Sequence, residues 1–270
     1  MDAQSFLGML PVNDDLHWKM RVEPRLATPD FLFGGCGLAA ALVALEKASG
    51  RTTVWATAQY LSYAATHSVM EWGVTLAAIG RHVTQGRAVG VVDGREILTV
   101  NAALGQYRPT AKGIWVEPPV VAPPEECPPR YLPQTFRNTI IDTVDTRSAK
   151  GRTLDELDGK PGSPNSALWA RLPGLLATSA ATLAIFGDYV AGAASDPLGQ
   201  PVMSRSLDNT LRVVQLKPTE WVLCDIRMHA VTGGYAQGLA HLWSQDGTLM
   251  ATASQSFVVR PWPERENGQG

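Results

Sequence analysis

The chain contains an internal repeat that spans most of its length. Six residues of the first half recur in the same order, with one inserted residue, in the second half: Ile79, His82, Thr84, Gly86, Ala88 and Gly90 correspond to Ile226, His229, Thr232, Gly234, Ala236 and Gly238. The flanking motifs keep nearly the same offset, because Trp72 and Trp221 lie 149 residues apart while Asp93 and Asp246 lie 153 apart. The repeat predicts two halves of one architecture, with the seam between them as the natural place for a functional site.

Each half has the same predicted order of elements, a long helix followed by a run of strands. We predict helices over 35–49 and 176–194 from their Ala/Leu-rich helical spacing, and opening strands over 17–23 and 139–143. The remaining strands are predicted over 54–63, 73–82, 87–92 and 97–104, and over 206–214, 221–230, 235–243 and 248–259. This order indicates an α+β fold in which each sheet wraps its helix, and pairing the two halves edge to edge would give one continuous sheet.

The domain boundaries follow from a proline-dense middle segment. Residues 1–115 are predicted to form the N-terminal repeat, 116–134 an extended Pro-rich linker, and 135–270 the C-terminal repeat. Seven prolines fall between 118 and 133, too many for a helix or an interior strand. Residues 148–166 are rich in Gly, Lys and Asp and are predicted to be a mobile surface loop.

Composition excludes several classes of function. A formal charge of −2, a pI near 6.2 and no Lys/Arg cluster provide no electrostatic footprint for nucleic acid. No stretch approaches the roughly 20 apolar residues of a membrane span, and the N-terminus lacks the features of a signal peptide. Three widely separated cysteines fit neither a disulfide framework nor a paired metal site, so we expect a cytoplasmic protein. The sequence leaves open whether it forms a homo-oligomer.

Three polar residues of the second half lie in otherwise apolar strands: Asp208, His229 and Gln255. Uncompensated burial of such groups costs several kcal/mol, so if they point inward they should meet one another or a water molecule. A carboxylate or a neutral imidazole can take a proton from that water, and an amide can orient it. From spacing alone, exposed or structural roles for the three are the more common outcome.

The start of the first helix offers a second candidate site. Backbone N–H groups at Gly34 and Gly35, at the positive end of the helix dipole, could stabilise an oxyanion, although a glycine pair also serves close packing. Cys36 follows directly and could be an activated thiol, but a buried small apolar residue is the favoured interpretation.

Short motifs in both halves together resemble the acyl-CoA thioesterase II family, which has a double hot-dog fold. Phe33-Gly34-Gly35 before the helix is similar to that family's Phe-Gly-Gly-Gln helix start, with Cys36 in place of Gln. In the second half, the similar motifs follow in the family's order: Ser206-Leu207-Asp208-Asn209, Glu220-Trp221, Gln245-Asp246-Gly247 and Ala253-Ser254-Gln255.

The resemblance implies an acyl-CoA thioester hydrolase that needs no cofactor and no metal. The family holds its nucleophilic water with an Asp, a Thr or Ser, and a Gln, which correspond here to Asp208, His229 and Gln255. His229 replaces a hydroxyl, and a register slip would put Thr232 there instead. The acyl chain is expected between helix and sheet, with Gly34 and Gly35 at the oxyanion. Two alternatives stay open. One is a hot-dog dehydratase or hydratase, which the presence of His229 favours, and the other is a non-catalytic acyl-CoA binding module.

Overall fold

The computed structural model describes residues 1–105, 113–172, 174 and 177–262. Two helices and six strands make up the first half: α1 Ala3–Leu7, β1 Leu10–Val12, β2 Asp14–Arg21, α2 Gly34–Ser49, β3 Thr52–Tyr60, β4 Val69–Ile79, β5 Val83–Val92 and β6 Arg95–Gly105.

The second half repeats this plan with additional short elements. It contains α3 Ile140–Thr143, β7 Asp145–Lys150, β8 Asn165–Arg171, α4 Ala180–Gly187, α5 Ser195–Leu198, β9 Val202–Ser206, β10 Asp208–Val213, β11 Val222–Thr232, β12 Tyr235–Ser244 and β13 Leu249–Pro261. Short 3-10 helices lie at Pro24–Leu26, Gln134–Phe136, Leu154–Glu156 and Asp188–Ala194.

The strands of the two halves form one continuous antiparallel sheet, as the repeat predicts. Its order within the described residues is β1-β2-β4-β5-β6-β3-β10-β13-β12-β11-β8-β7, and β9 pairs with β13. The halves join where β3 pairs with β10, with Asp208 opposite Gln59 and Thr210 opposite Thr57. The Thr57 and Thr210 hydroxyls lie 2.7 Å apart across this seam. Because α2 and α4 pack against each other, both helices lie on the same side of the sheet.

The first predicted helix is confirmed. α2 starts one residue earlier than predicted and ends where Gly50 adopts φ 64°, a left-handed conformation that glycine tolerates without steric cost. Eleven of its residues, 35–45, are buried. The small Ala and Gly residues among them let the helix lie close to both the sheet and α4.

The second predicted helix is broken into shorter pieces. In place of one helix over 176–194, of which position 176 lies outside the described residues, α4 gives way to a 3-10 helix at Asp188. The Ser179 side chain caps the start of α4 by accepting the Thr182 N–H. The change of helix type places Asp188 at the point where the backbone tightens.

The predicted strand over 139–143 is wrong, because this segment is the short helix α3. The Thr139 hydroxyl accepts the Ile141 N–H at 3.2 Å as an N-cap, and Asp142 accepts the Asn138 N–H at 3.0 Å. These local side-chain bonds favour a helical turn over the strand that Thr and Ile alone would predict. The strands that open the second half, β7 and β8, fall partly in the segment predicted to be a loop over 148–166.

The Pro-rich segment packs on the outer face of the second half's sheet. There it covers a small apolar cluster that includes Cys127, Trp169, Trp221 and Trp243. The Trp169 indole N–H donates to the Ala122 carbonyl at 3.0 Å. Residues 116–133 carry no helix or strand longer than an isolated bridge, as their prolines predict.

In the part of the chain that the structure describes, no helix is long and apolar enough to cross a membrane.

Candidate active site

The start of α2 faces a carboxylate from the second half. The Gly35 N–H donates to Asp188 Oδ2 at 2.7 Å. A Cβ at residue 35 would lie 2.9 Å from the Ala184 carbonyl oxygen and 2.9 Å from the Ile185 Cα, so only glycine lets α2 approach α4 this closely. Gly34 is also confined, since a Cβ there would lie 2.9 Å from the Tyr60 hydroxyl. The glycine pair therefore serves close packing and also presents a backbone donor.

Asp188 is the centre of a buried polar cluster. It is 5% exposed, and its Oδ1 accepts the Asn209 amide N–H at 3.1 Å and a close N–H from Gln255. Burial raises the pKa of Asp188 to about 7, against the opposing effect of the three N–H donors, Gly35, Asn209 and Gln255. A carboxyl that titrates near neutral pH is suited to proton transfer, and such groups gather at functional sites.

The Gln255 side chain is fixed at both ends. Its Oε1 accepts the Ala191 N–H at 3.1 Å, while its Nε2 donates to Asp188 and, at 3.2 Å, to the Ser206 hydroxyl. With a residue exposure of only 2%, the amide has one orientation that satisfies all of these partners. A fixed amide of this kind can orient a bound molecule.

Asp208 lies at a kink between two strands, next to the strand that carries Gln255. The segment predicted as one strand over 206–214 is divided at Leu207 into β9 and β10, and Asp208 is the first residue of β10. Its Oδ1 accepts the N–H of Ser256, the residue after Gln255, at 2.6 Å. The side chain is half-buried, so one carboxylate of the predicted set reaches solvent while its neighbour Gln255 is enclosed.

The structure does not bring His229 into this group. The residue of β11 in line with Gln255 is Met228, because Met228 pairs with Gly238 and Gly238 pairs with Gln255. His229 is the extra residue of a β-bulge between Met228 and Ala230, and it is exposed, as is Thr232. Because successive side chains of a strand point to opposite faces, His229 lies on the face opposite to that of Met228.

Two members of the cluster, Asn209 and Asp188, are not among the site residues predicted from the sequence. Asn209 was noted only as part of a motif, and Asp188 is the one acidic residue in the apolar run from 180 to 194. An isolated acid in such a run is the available signal, since burial of an unpaired carboxylate is costly.

Two other expectations can be compared with the described residues. Cys36 is fully buried, and burial raises its pKa well above the usual range, in agreement with an inert apolar role. No group of three or more His, Cys, Asp or Glu side chains within the described ranges could hold a metal ion.

Comparison with known proteins identifies relatives of this architecture. The acyl-CoA thioesterase C-terminal domain family matches residues 124–259. A protein from Novosphingobium aromaticivorans described as a thioesterase is 31% identical, with 93% of this chain and 98% of that chain covered and a TM-score of 0.83. A search of curated protein sequences finds no significant match.

More distant structures share the fold. A hot-dog protein of unknown function from Alicyclobacillus acidocaldarius is 19% identical, with 97% of this chain and 98% of that chain covered and a TM-score of 0.83. The acyl-CoA thioesterase II TesB2 from Mycobacterium marinum is 18% identical, with 96% and 98% covered and a TM-score of 0.73. These similarities confirm the predicted double hot-dog fold.

Proposed function

Because this chain belongs to the acyl-CoA thioesterase family, we propose that it hydrolyses acyl-CoA thioesters with a water molecule activated by Asp208 and oriented by Gln255. Membership of this family makes the protein a thioester-hydrolysing enzyme. The identity of the catalytic residues and the hydrolysis of acyl-CoA in particular are the proposal.

One observation carries the assignment of residues. Asp208 accepts the backbone N–H of Ser256, directly after Gln255, so the carboxylate is held against the strand that carries the fixed amide. Among the described residues, Asp208 Oδ2 has no hydrogen-bond partner, and this oxygen is free to accept a proton from water. Gln255 is linked to the start of α2 through Asp188, which binds both Gln255 and the Gly35 N–H.

In the proposed reaction, Asp208 takes one proton from the water while the water oxygen attacks the thioester carbonyl carbon. The tetrahedral intermediate places a negative charge on the carbonyl oxygen, which backbone N–H groups at Gly34 and Gly35 would stabilise. The C–S bond then breaks, and the proton returns from Asp208 to the CoA sulfur.

The Gly35 donor must change partner in this scheme, since its N–H is bound to Asp188. The raised pKa of Asp188, about 7, makes that exchange less costly, because a neutral carboxyl accepts an N–H more weakly than a carboxylate does.

The test is free CoA release by Asp208→Asn. We expect kcat to fall about 100-fold or more, the usual contribution of a general base. Asp142→Asn is the matched control, because Asp142 also accepts a backbone N–H, at 3.0 Å, yet belongs to α3. Undiminished turnover in Asp208→Asn would remove Asp208 from the mechanism.

His229, the third residue predicted from the sequence, needs its own experiment. Its exposed position at the β11 bulge predicts that His229→Ala keeps kcat/KM within about twofold, the size expected for a surface substitution. A loss above about tenfold, measured by the same CoA-release assay, would return His229 to the water-binding set.

We also propose a cytoplasmic location. The three cysteines Cys36, Cys127 and Cys224 are free and buried, as is usual in a reducing compartment.

A further inference from the structure

A narrow cleft enters the second half between the 3-10 helix that follows Asp188 and the strands β7 and β8. Its volume is about 50 Å³, and its walls include Arg130, Lys150, Tyr189, Gly192 and Ile226. Liquid water occupies about 30 Å³ per molecule, so the space suits one small polar group and not a long hydrocarbon chain.

Arg130 brings an uncompensated cation to this cleft. Its guanidinium lies over the Tyr189 ring, 5.9 Å from the centroid, and no carboxylate of the described residues lies within ion-pair distance. The neighbouring Arg152 differs, because Asp196 binds it at 2.7 Å and Asp158 at 2.8 Å. Lys150 at the rim has no ion pair in the described ranges either, so the cleft carries net positive charge.

Tyr189, another residue of the cleft wall, has an unsatisfied polar atom. The residue is 4% exposed, and its hydroxyl is buried with no hydrogen-bond partner within the described parts of the chain. A buried hydroxyl without a partner costs about 1–3 kcal/mol, a cost that a bound acceptor would remove. A cation and a spare hydroxyl donor in one cleft are the groups that bind an oxyanion.

A 3-10 helix links the cleft to Gln255, one of the two proposed catalytic residues. The 3-10 helix begins at Asp188, binds Gln255 through the Ala191 N–H, and reaches the cleft at Gly192. At about 2 Å rise per residue, Asp188 and Gly192 are separated by roughly 8 Å along this helix. A short acyl chain with its thioester beside Gln255 could therefore reach the cleft with its far end.

We propose that Arg130 and Tyr189 bind an oxyanion of the thioester substrate, with the carboxylate at the end of a short acyl chain as the favoured source. This inference rests on the proposed thioesterase function and names the substrate class for it. Phosphate groups of CoA offer the same chemistry from a different part of the substrate, and the experiment separates the two sources.

The experiment compares four substrates: glutaryl-CoA, pentanoyl-CoA and the corresponding pantetheine thioesters, which lack the CoA phosphates. Each is hydrolysed by the wild-type protein, Arg130→Gln and Tyr189→Phe. Loss of a charge-assisted hydrogen bond should raise KM about 10- to 100-fold for substrates that carry the bound oxyanion. A rise restricted to both glutaryl thioesters supports the acyl carboxylate, and a rise restricted to both CoA thioesters supports the phosphates.

An equal change for all four substrates would overturn the proposal, because a structural defect does not distinguish them. Arg147→Gln is the matched control. Arg147 is a residue of β7, and its guanidinium also lies over an aromatic ring, Trp221 at 5.8 Å, but on the outer face of the sheet. It should leave all four KM values unchanged.

A binding measurement separates failure of this proposal from failure of the thioesterase assignment. Calorimetric titration of glutarate and of inorganic phosphate into the wild-type protein needs no turnover. Binding that Arg130→Gln abolishes supports the cleft even if none of the thioesters is hydrolysed. Hydrolysis of the four thioesters with neither binding nor a selective KM change would reject the cleft and leave the proposed function intact.

Discussion

The buried carboxyl of Asp188 makes the stability of this protein depend on pH in a direction unusual for an acid. Most paired carboxylates have lowered pKa values in the folded state, whereas burial raises the pKa of Asp188 from 3.8 to about 7. The folded state therefore binds more protons than the unfolded state between these values. The contribution of this group to the free energy of unfolding is full below pH 4 and is lost as pH rises to 7.

The magnitude follows from the size of the shift. One pKa unit corresponds to about 1.4 kcal/mol, so a shift from 3.8 to about 7 represents on the order of 4 kcal/mol in total. Asp188→Asn removes the titration but keeps the side-chain shape. The substitution also has a constant cost, because one amide cannot accept all three N–H donors now bound to Asp188.

The assay is urea denaturation of the wild-type protein and Asp188→Asn at pH 5, 6, 7 and 8. The difference in free energy of unfolding should move in favour of the variant by about 1.4 kcal/mol per pH unit from 5 to 7, then flatten. Every other titrating group cancels in this difference. A pH-independent difference would refute the reasoning, since it would mean that the three donors hold the pKa of Asp188 near its usual value.

Further predictions concern packing. Gly35→Ala should lower the free energy of unfolding by about 1–3 kcal/mol, because the added Cβ meets backbone at 2.9 Å. Gly37→Ala should be tolerated, because its Cβ meets only side-chain carbons, of Leu98 at 3.3 Å and Leu32 at 3.5 Å. The urea midpoints of the two variants test this difference, and equal midpoints would contradict the packing argument. Trp169→Phe should lower the free energy of unfolding by about 1 kcal/mol more than Trp243→Phe, because the Trp169 N–H binds the Ala122 carbonyl whereas the Trp243 N–H has no partner among the described residues. Trp169→Phe should also make residues 116–133 more susceptible to protease. Similar losses of stability in both variants would count against this role of the Ala122 bond.

The sequence predicted elements better than it predicted their ends and interruptions. α2 and the strands β4, β5, β6, β11, β12 and β13 follow directly from apolar periodicity and Asp-Gly turns. α3 was missed because capping by Thr139 and Asp142 outweighs the strand preference of the residues between them. The conversion of the second helix to a 3-10 helix at Asp188 has no periodic signal at all.

Of the candidate site, Gly34, Gly35, Asp208 and Gln255 could be named from short motifs, but their arrangement could not. His229 made the repeat visible, yet it follows the buried Met228 in β11 and therefore lies on the exposed face. Arg130 was part of a segment predicted to be only a linker, and the bond from its N–H to the Thr146 carbonyl fixes it beside β7.

The sequence by itself determined that this protein has two similar halves, each with a helix and an antiparallel sheet, because periodicity and repetition are local properties of the chain. Tertiary structure alone decided which polar groups meet. Asp188 binds Gly35 across 153 residues and Gln255 across 67. Such contacts depend on how closely α2 and α4 approach and on the register of β10 and β13, and a single bulge or kink changes that register without any mark in local composition.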